Sequence, residues 1–320
     1  MAHFDVFNGD ADGILALLQL RKHHPLNAKK ITGIKRDIAL LKRCDAVKGD
    51  SVTVLDVSME KNLITLNAML DLGVSVFYAD HHKSGDIPQS PLLDAHIDLD
   101  ANTCTSLIVD AYLQGEYRLW AIAAAYGDNM IARADRLGSE LGLSLGECAY
   151  LRELGTLINY NGYGASTDDL HYHPEDLFEL LMAYESPFDL MEDKSSPYYQ
   201  LKQAYDEDMS MAKCLSPHFS DDTVTVYILP NKPTSRRVSG VFGNELANRV
   251  PQKAHLVLTL NSDKTYTVSL RAPLNNKQGA DIICSAFPTG GGRAGAAGIN
   301  QLQFGSLDTL VMKTSEYYRR

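Results

Sequence analysis

The chain lacks any pair of cysteines at C-x-x-C spacing. Its five cysteines, at 44, 104, 148, 214 and 284, are scattered through 320 residues. That pattern excludes a disulfide framework and a structural zinc site, and points to a reducing compartment. Long apolar runs are also missing, so no transmembrane helix and no membrane partner are expected. The opening MAHFDVFNGD has no basic stretch leading into an apolar core; no signal peptide is expected, and a cytoplasmic location is the default. Basic charge is scarce: 30 Lys and Arg stand against 40 Asp and Glu, a formal net charge of −10. Such a chain does not coat long duplex DNA, because sequence-independent binding to a polyanion needs a basic surface. A small phosphorylated ligand in a locally basic spot remains open. There is no internal repeat and no low-complexity tract.

What is present is an ordinary globular composition, 45% hydrophobic and 22% charged, long enough for two domains. In the first half, short β-type runs alternate with helical periodicity. HFDVF, ITGIKR, SVTVLDVS and VSVFYADHH read as strands; GILALLQLRKHH, IALLKRC and NLITLNAMLDLG read as helices. This βαβα rhythm predicts an α/β fold with a mainly parallel sheet covered by helices. Helices dominate from about 103 to 215, interrupted by the polar loop NYNGYGASTDDLHYHPED. Then DTVTVYILP and the two-strand pattern LVLTLNSDKTYTVSL open a second region. The expected organisation is a parallel-sheet α/β domain over 1–190, a helical connector over 191–219 and a smaller α/β domain over 220–320.

Polar residues gather at the ends of the expected strands. Asp10 and Asp12 follow the first, Asp56 the third, and Asp80, His81 and His82 the fourth; Asp128 follows in YGDN at a helix end. Ligands of open parallel sheets bind at the carboxyl ends of the strands, so these segments should converge. Several carboxylates with one or two imidazoles make a donor set for divalent cations, manganese in preference to magnesium. Two ions are the natural number, with Asp10 and Asp12 each facing one and a third carboxylate bridging. Such a pair, about 3.5–4 Å apart, can activate water and clamp a phosphoryl centre. Taken singly, Asp-x-Asp-Gly is usually a turn and adjacent histidines are usually a cap. Asp56 is harder to dismiss, because unpaired carboxylates are rare in apolar runs.

The ordered set NGDADG, VLDVS, DHH and YGDN resembles the motifs of the DHH phosphoesterase family, which includes RecJ-type exonucleases, nano-RNases and cyclic-dinucleotide phosphodiesterases. The C-terminal FPTGGGRAGAAG resembles the glycine-rich motif of the DHH-associated substrate-binding domain, so the likeness spans nearly the whole chain. It implies one metal on Asp10 and Asp56 and a second on Asp12, Asp56, His81 and Asp128, with Asp56 bridging. It also implies that His82 faces the scissile phosphate and that Asp80 orients a histidine. The sequence departs from the family in two places. Val6 and Asn8 stand where a histidine or an aspartate is usual at the first metal, so Asn8 could offer only an uncharged amide oxygen. Arg293 replaces the histidine of the usual GGGH.

In the second domain, Gly290, Gly291 and Gly292 are too many glycines for a packed strand and suit an anion cradle at a helix start. Arg293 can grip a phosphate or stack on a base. Arg271 ends a strand, and SRRVSG, with Arg236, Arg237 and Ser239, is a local basic spot; Lys83 directly follows DHH. His171 and His173 are read as surface histidines, and the nearby tyrosines as weak candidates for base stacking. The expected function is manganese-dependent hydrolysis of short linear 5′-phosphorylated RNA, with dinucleotides and pGpG foremost, the second domain gauging length across the interdomain cleft. A homodimer is compatible with this reading. The alternatives are a RecJ-like single-strand exonuclease, a phosphoadenosine-phosphate phosphatase, less readily an inorganic pyrophosphatase, and a non-catalytic nucleotide sensor.

Overall fold

The computed structural model describes residues 1–319. They form two compact units, Met1–Gln203 and Ala204 onward. The first begins with β1 (His3–Phe7), α1 (Ala11–His23), β2 (Lys29–Ile31), a 3₁₀ turn (Leu40–Arg43), β3 (Ser51–Leu55), α2 (Met59–Leu72), β4 (Ser75–Asp80) and β5 (Leu93–Ile97). The strands make one parallel sheet in the order β2-β1-β3-β4-β5. Phe4, Val6, Phe7, Val52, Val54, Leu55, Val76 and Tyr78 are buried. Strands apolar on both faces need helices on both faces, as a parallel sheet provides. The chain leaves β1 toward β2 on one side and returns to β3 on the other. That reversal opens a crevice at the carboxyl ends of β1 and β3.

The helices α3 (Thr105–Tyr112), α4 (Arg118–Gly127), α5 (Ile131–Glu140), α6 (Leu145–Asn161), α7 (Pro174–Met182), α8 (Asp189–Glu192) and α9 (Pro197–Lys213) follow. Ser144 and Glu147 start α6 with a capping box. Backbones of α4 and α6 meet where both carry glycine. A Cβ on Gly155 would lie 1.9 Å from the Ala123 carbonyl oxygen, and one on Gly127 2.8 Å from the Gly155 oxygen. This contact seats the end of α4, and with it Asp128. A buried ion pair ties α1 to the sheet: Arg21 Nε donates to Asp5 Oδ2 at 2.9 Å and Nη2 to Thr53 Oγ1 at 3.0 Å.

The sequence expectations need four adjustments here. ITGIKR is not a strand: β2 ends at Ile31 and the chain turns at Gly33, where a Cβ would fall 2.1 Å from Asp37 Oδ2. IALLKRC forms only the 3₁₀ turn, and β5, a half-buried edge strand, has too little apolar alternation to announce itself. The connector expected over 191–219 is largely the helix α9, and the division between the two units falls inside it.

The second unit contains β6 (Phe219–Ser220), β7 (Val224–Leu229), α10 (Pro233–Arg249), β8 (Ala254–Leu260), β9 (Thr265–Arg271), α11 (Ala280–Ser285), β10 (Gly290–Arg293), β11 (Ala296–Gln303) and α12 (Leu307–Tyr318). Its sheet runs β10-β11-β9-β8-β7-β6, with only β7 and β8 parallel. Val226, Leu256, Leu258, Val268, Leu270, Ile299 and Leu310 centre its core. The glycine run therefore corrects the sequence reading: Gly290–Arg293 is a strand, paired with Ala296–Ile299. The glycines serve close packing, since a Cβ on Gly290 would fall 1.8 Å from the Cys284 carbonyl oxygen and one on Gly292 2.5 Å from Ala297 Cα. Among the described residues no helix is long and apolar enough to cross a membrane.

Candidate functional site

The carboxyl ends of β1, β3 and β4 and the end of α4 meet in one place. Asp10 is the N-cap of α1: its Oδ1 accepts the backbone N–H groups of Asp12 (3.0 Å) and Gly13 (3.1 Å), the usual work of an aspartate there. Asp12, in the first turn, reaches across to α3. Its Oδ2 accepts the Thr105 N–H and its Oδ1 the Ser106 N–H, each at 2.7 Å. The N-cap of α3 is Cys104, which makes no side-chain cap, so Asp12 caps that helix from outside and meets its positive dipole end. Asp56 leaves β3 with φ of +57°, a left-handed conformation that aspartate tolerates better than most residues. That turn swings its carboxylate out of the strand, where Thr105 Oγ1 donates to Oδ1 at 3.1 Å.

Both histidines after β4 have an acceptor at Nδ1 that keeps a proton there. His81 Nδ1 lies 2.9 Å from the Thr103 carbonyl oxygen, an atom that only accepts, so Nδ1 carries a proton and Nε2 is the nitrogen that can give its lone pair to a metal. That Nε2 is 3.3 Å from Asp56 Oδ1 and 3.7 Å from both Asp12 Oδ2 and Asp128 Oδ2. His82 Nδ1 is 2.7 Å from Asp80 Oδ1 and 3.7 Å from Asp56 Oδ1. Two triads of donor atoms result, Asp12–His81–Asp128 and Asp56–His81–His82. They share His81, and both need charge compensation. Asp12 is pushed up to about 7 by burial, with the like charges of Asp56, Asp128 and Asp10 adding to it against the pull of His81. Burial also drives Asp56 well upward, helped by Asp10, Asp128 and Asp80. For Asp80 burial pushes up, but the charge and hydrogen bond of His82 prevail and hold it low.

This donor set fits a divalent cation of hard or borderline character. Carboxylates of Asp12, Asp56 and Asp128 surround an imidazole nitrogen whose other nitrogen is anchored on a backbone carbonyl, the arrangement that orients a metal-binding histidine. The place expected for a second ion, on Asp10 and Asp56, is different, because Asp10 belongs to neither triad. Its Oδ1 is committed to the α1 cap and its Oδ2 to the ammonium of Lys35. Lys35 also contacts Asn159 Oδ1 at 3.0 Å and Asp128 Oδ1 at 3.3 Å. Burial alone would lower its pKa, but Asp10 and Asp128 hold it well above the usual lysine value. Asn8 Nδ2 donates to the Lys35 carbonyl at 3.2 Å, while its buried Oδ1 has no hydrogen-bond partner among the described residues. Val6 is fully buried in the core.

Lys35, Asn159, Thr105 and the Thr103 carbonyl were not among the sequence candidates. The sequence reading puts Lys35 inside the expected strand ITGIKR, so nothing marks it as facing the site. Among the remaining candidates, Lys83 is exposed and its carbonyl accepts Ser58 Oγ at 3.1 Å. In the second unit, SRRVSG lies within α10. Arg237 Nε is 2.8 Å from Asp208 Oδ2 in a buried pair, and Ser239 Oγ donates to the Arg236 carbonyl at 2.9 Å. Arg271 is half-buried, donating to Asn244 Oδ1 (2.5 Å), Ser269 Oγ (2.9 Å) and the Gly240 carbonyl (3.2 Å). Gly290, Gly291, Gly292 and Arg293 lie in the edge strand β10. His171 Nε2 pairs with Tyr160 OH at 2.9 Å and His173 Nδ1 accepts the Glu175 N–H at 3.3 Å, as surface and capping residues.

A parallel sheet with its acidic and histidine ends gathered, followed by helices and a mixed-sheet unit, is the DHH fold. Solved structures with that architecture match the chain. An exonuclease RecJ bound to manganese shares 13% identity at a TM-score of 0.60, covering 100% of this chain and 90% of that one. RecJ from Thermus thermophilus, in complex with Mn²⁺, shares 14% at 0.64, and this chain spans 52% of its length. The pGpG-specific phosphodiesterase PggH from Vibrio cholerae shares 12% at 0.57, covering 100% and 99% of the two chains. No protein-family model and no curated protein sequence matches the chain.

Proposed function

We propose that the chain is a metal-dependent phosphodiesterase that hydrolyses short linear 5′-phosphorylated oligonucleotides, dinucleotides such as pGpG foremost, to nucleoside 5′-monophosphates. The observation that carries this reading is the convergence of Asp12, Asp56 and Asp128 on the lone pair of His81 Nε2, within 3.3–3.7 Å. The likeness to RecJ and to PggH supports it. These four residues would hold a divalent ion, manganese in preference to magnesium, and the ion when bound supplies Lewis-acid stabilisation of charge on a phosphoryl oxygen.

The chain's own contribution centres on His82. Ionised Asp80 holds its Nδ1–H at 2.7 Å, so a charged His82 carries its transferable proton on Nε2. That proton goes to the leaving oxygen as water adds to phosphorus, a role typically worth about 10²–10⁴ in rate. One water is consumed and pGpG gives two nucleoside monophosphates. Thr105 and Thr103 fix Asp56 and His81 in place. Arg271, Arg237, Ser239, Lys83 and the Gly290–Arg293 segment are the candidates for gripping the nucleotide.

Purified protein, incubated with excess manganese and a panel of pGpG, pApA, longer RNA, cyclic dinucleotides and phosphoadenosine phosphate, tests the reading when products are resolved by chromatography. Monophosphates are expected from the linear dinucleotides first. Preference for long single strands would favour the RecJ-like exonuclease. An intact panel after hours would remove the enzyme reading and leave a nucleotide sensor.

A further inference from the structure

We infer that the ammonium of Lys35 stands in for one cation of a two-ion centre, so that this chain binds a single divalent ion per active site. The inference rests on reading the site as a metal centre and concerns its stoichiometry.

The argument starts from donors and acceptors. An ammonium has three N–H bonds and no lone pair. Those of Lys35 meet three oxygens: Asp10 Oδ2, Asn159 Oδ1 at 3.0 Å and Asp128 Oδ1 at 3.3 Å. It is fully engaged by the protein, and it cannot grip a substrate phosphate without giving one of them up. These oxygens are also the ones a second ion would need. Oδ1 of Asp10 already accepts two backbone N–H groups, so only the lone-pair site of Oδ2 beside the ammonium is left to face a second ion. A carboxylate oxygen can bridge two cations, but the ammonium already seated on Asp10 and Asp128 repels a second ion brought to the same oxygens.

The loop that carries Lys35 is held at both sides of the residue. The Lys35 N–H donates to the Gly162 carbonyl at 2.8 Å, and its carbonyl accepts Asn8 Nδ2 at 3.2 Å. Asn8 thus positions the lysine. An aspartate there would instead set a carboxylate against the Lys35 carbonyl oxygen. Asp128 is the shared element: Oδ1 faces the ammonium and Oδ2 faces His81 Nε2 at 3.7 Å. A carboxylate placed between two cations is what a two-ion centre requires, and here one of the two is covalently part of the chain.

The counting experiment uses manganese as the only probe. Wild-type protein is dialysed against Mn²⁺, its metal content measured, and its electron paramagnetic resonance spectrum recorded. One ion per chain and a six-line, uncoupled Mn²⁺ spectrum are expected. Lys35→Gln removes the charge and adds an oxygen; it is expected to take up a second ion and show exchange coupling. Two ions per wild-type chain with a coupled spectrum would overturn the inference. So would a folded Lys35→Gln that stays at one ion, which would show that the ammonium is not what excludes the second. Should Lys35→Gln not fold, the wild-type count decides by itself. Hydrolysis also separates the two readings. One ion without turnover of any substrate in the panel removes the phosphodiesterase and leaves the lysine; turnover with two ions does the reverse.

Discussion

Replacing Thr105 by valine removes one atom's worth of chemistry and leaves the shape. Thr105 is fully buried, and its Oγ1 donates to Asp56 Oδ1 at 3.1 Å. Its backbone N–H, which holds Asp12, is untouched by the substitution. A hydrogen bond to a charged acceptor contributes about 1.5–3 kcal/mol. At about 1.4 kcal/mol per factor of ten, losing it should weaken manganese binding roughly 10–100-fold. The same range is reached when a group behind a metal ligand is removed. The direction follows from Asp56 itself: burial already drives its carboxyl well upward, and losing a donor favours the protonated acid, which binds no metal. The variant should keep its far- and near-ultraviolet circular dichroism. Manganese titration, by calorimetry or by loss of the free-ion resonance signal, gives the affinity. A folded Thr105→Val with a Kd within twofold of wild type would refute the claim that this hydroxyl sets the state of Asp56.

Other perturbations separate structure from chemistry. Arg21→Met leaves Asp5 buried with only His3, 3.2 Å away, to offset its charge, and should cost up to about 3–5 kcal/mol in urea unfolding. Burial raises Asp5, but Arg21 and His3 hold it below its ordinary value of 3.8, so the wild-type advantage is full above that pH and shrinks as pH falls through the lower folded value. A gap that widens in acid would contradict the assignment. Gly155→Ala would press a methyl onto the Ala123 carbonyl, 1.9 Å away; about 1–3 kcal/mol of stability and at least tenfold in manganese affinity should go as α4 and Asp128 shift, on the order of other overpacked cores. An unchanged melting curve would show that the helices separate freely. Asp80→Asn offers an amide N–H to His82 and favours the wrong tautomer, so kcat should fall about 10²–10⁴-fold with manganese affinity held within a few-fold; loss of metal instead would make Asp80 part of the ion's shell.

Much of the site could be read from the chain because strands end where their apolar pattern ends. Asp56 and the Asp80–His82 run follow β3 and β4 directly, and a parallel sheet sends such ends to one side. Asp128 followed from its position at a helix end. What the pattern could not disclose is how each carboxylate divides its two oxygens. Asp10 was grouped with the ligands from its place in the turn, yet one oxygen caps α1 and the other meets Lys35, 25 residues away. Which lysine reaches which carboxylate depends on how a loop closes, and hydrophobic periodicity is silent on loops. The glycine run misled for a related reason. Its composition argues against a strand, but at Gly290 and Gly292 the backbone packs so closely on Cys284 and Ala297 that side chains would not fit.

The positive φ of Asp56 limits what evolution can write at that position. A left-handed backbone is comfortable for glycine, tolerable for asparagine and aspartate, and costly for branched or bulky residues. Of the three, only aspartate brings a charge. In a saturation library scored for folded protein, position 56 should therefore accept a vocabulary of about three letters. Scored for manganese uptake, the same position should shrink to one, and the distance between those two alphabets separates what the backbone demands from what the metal demands.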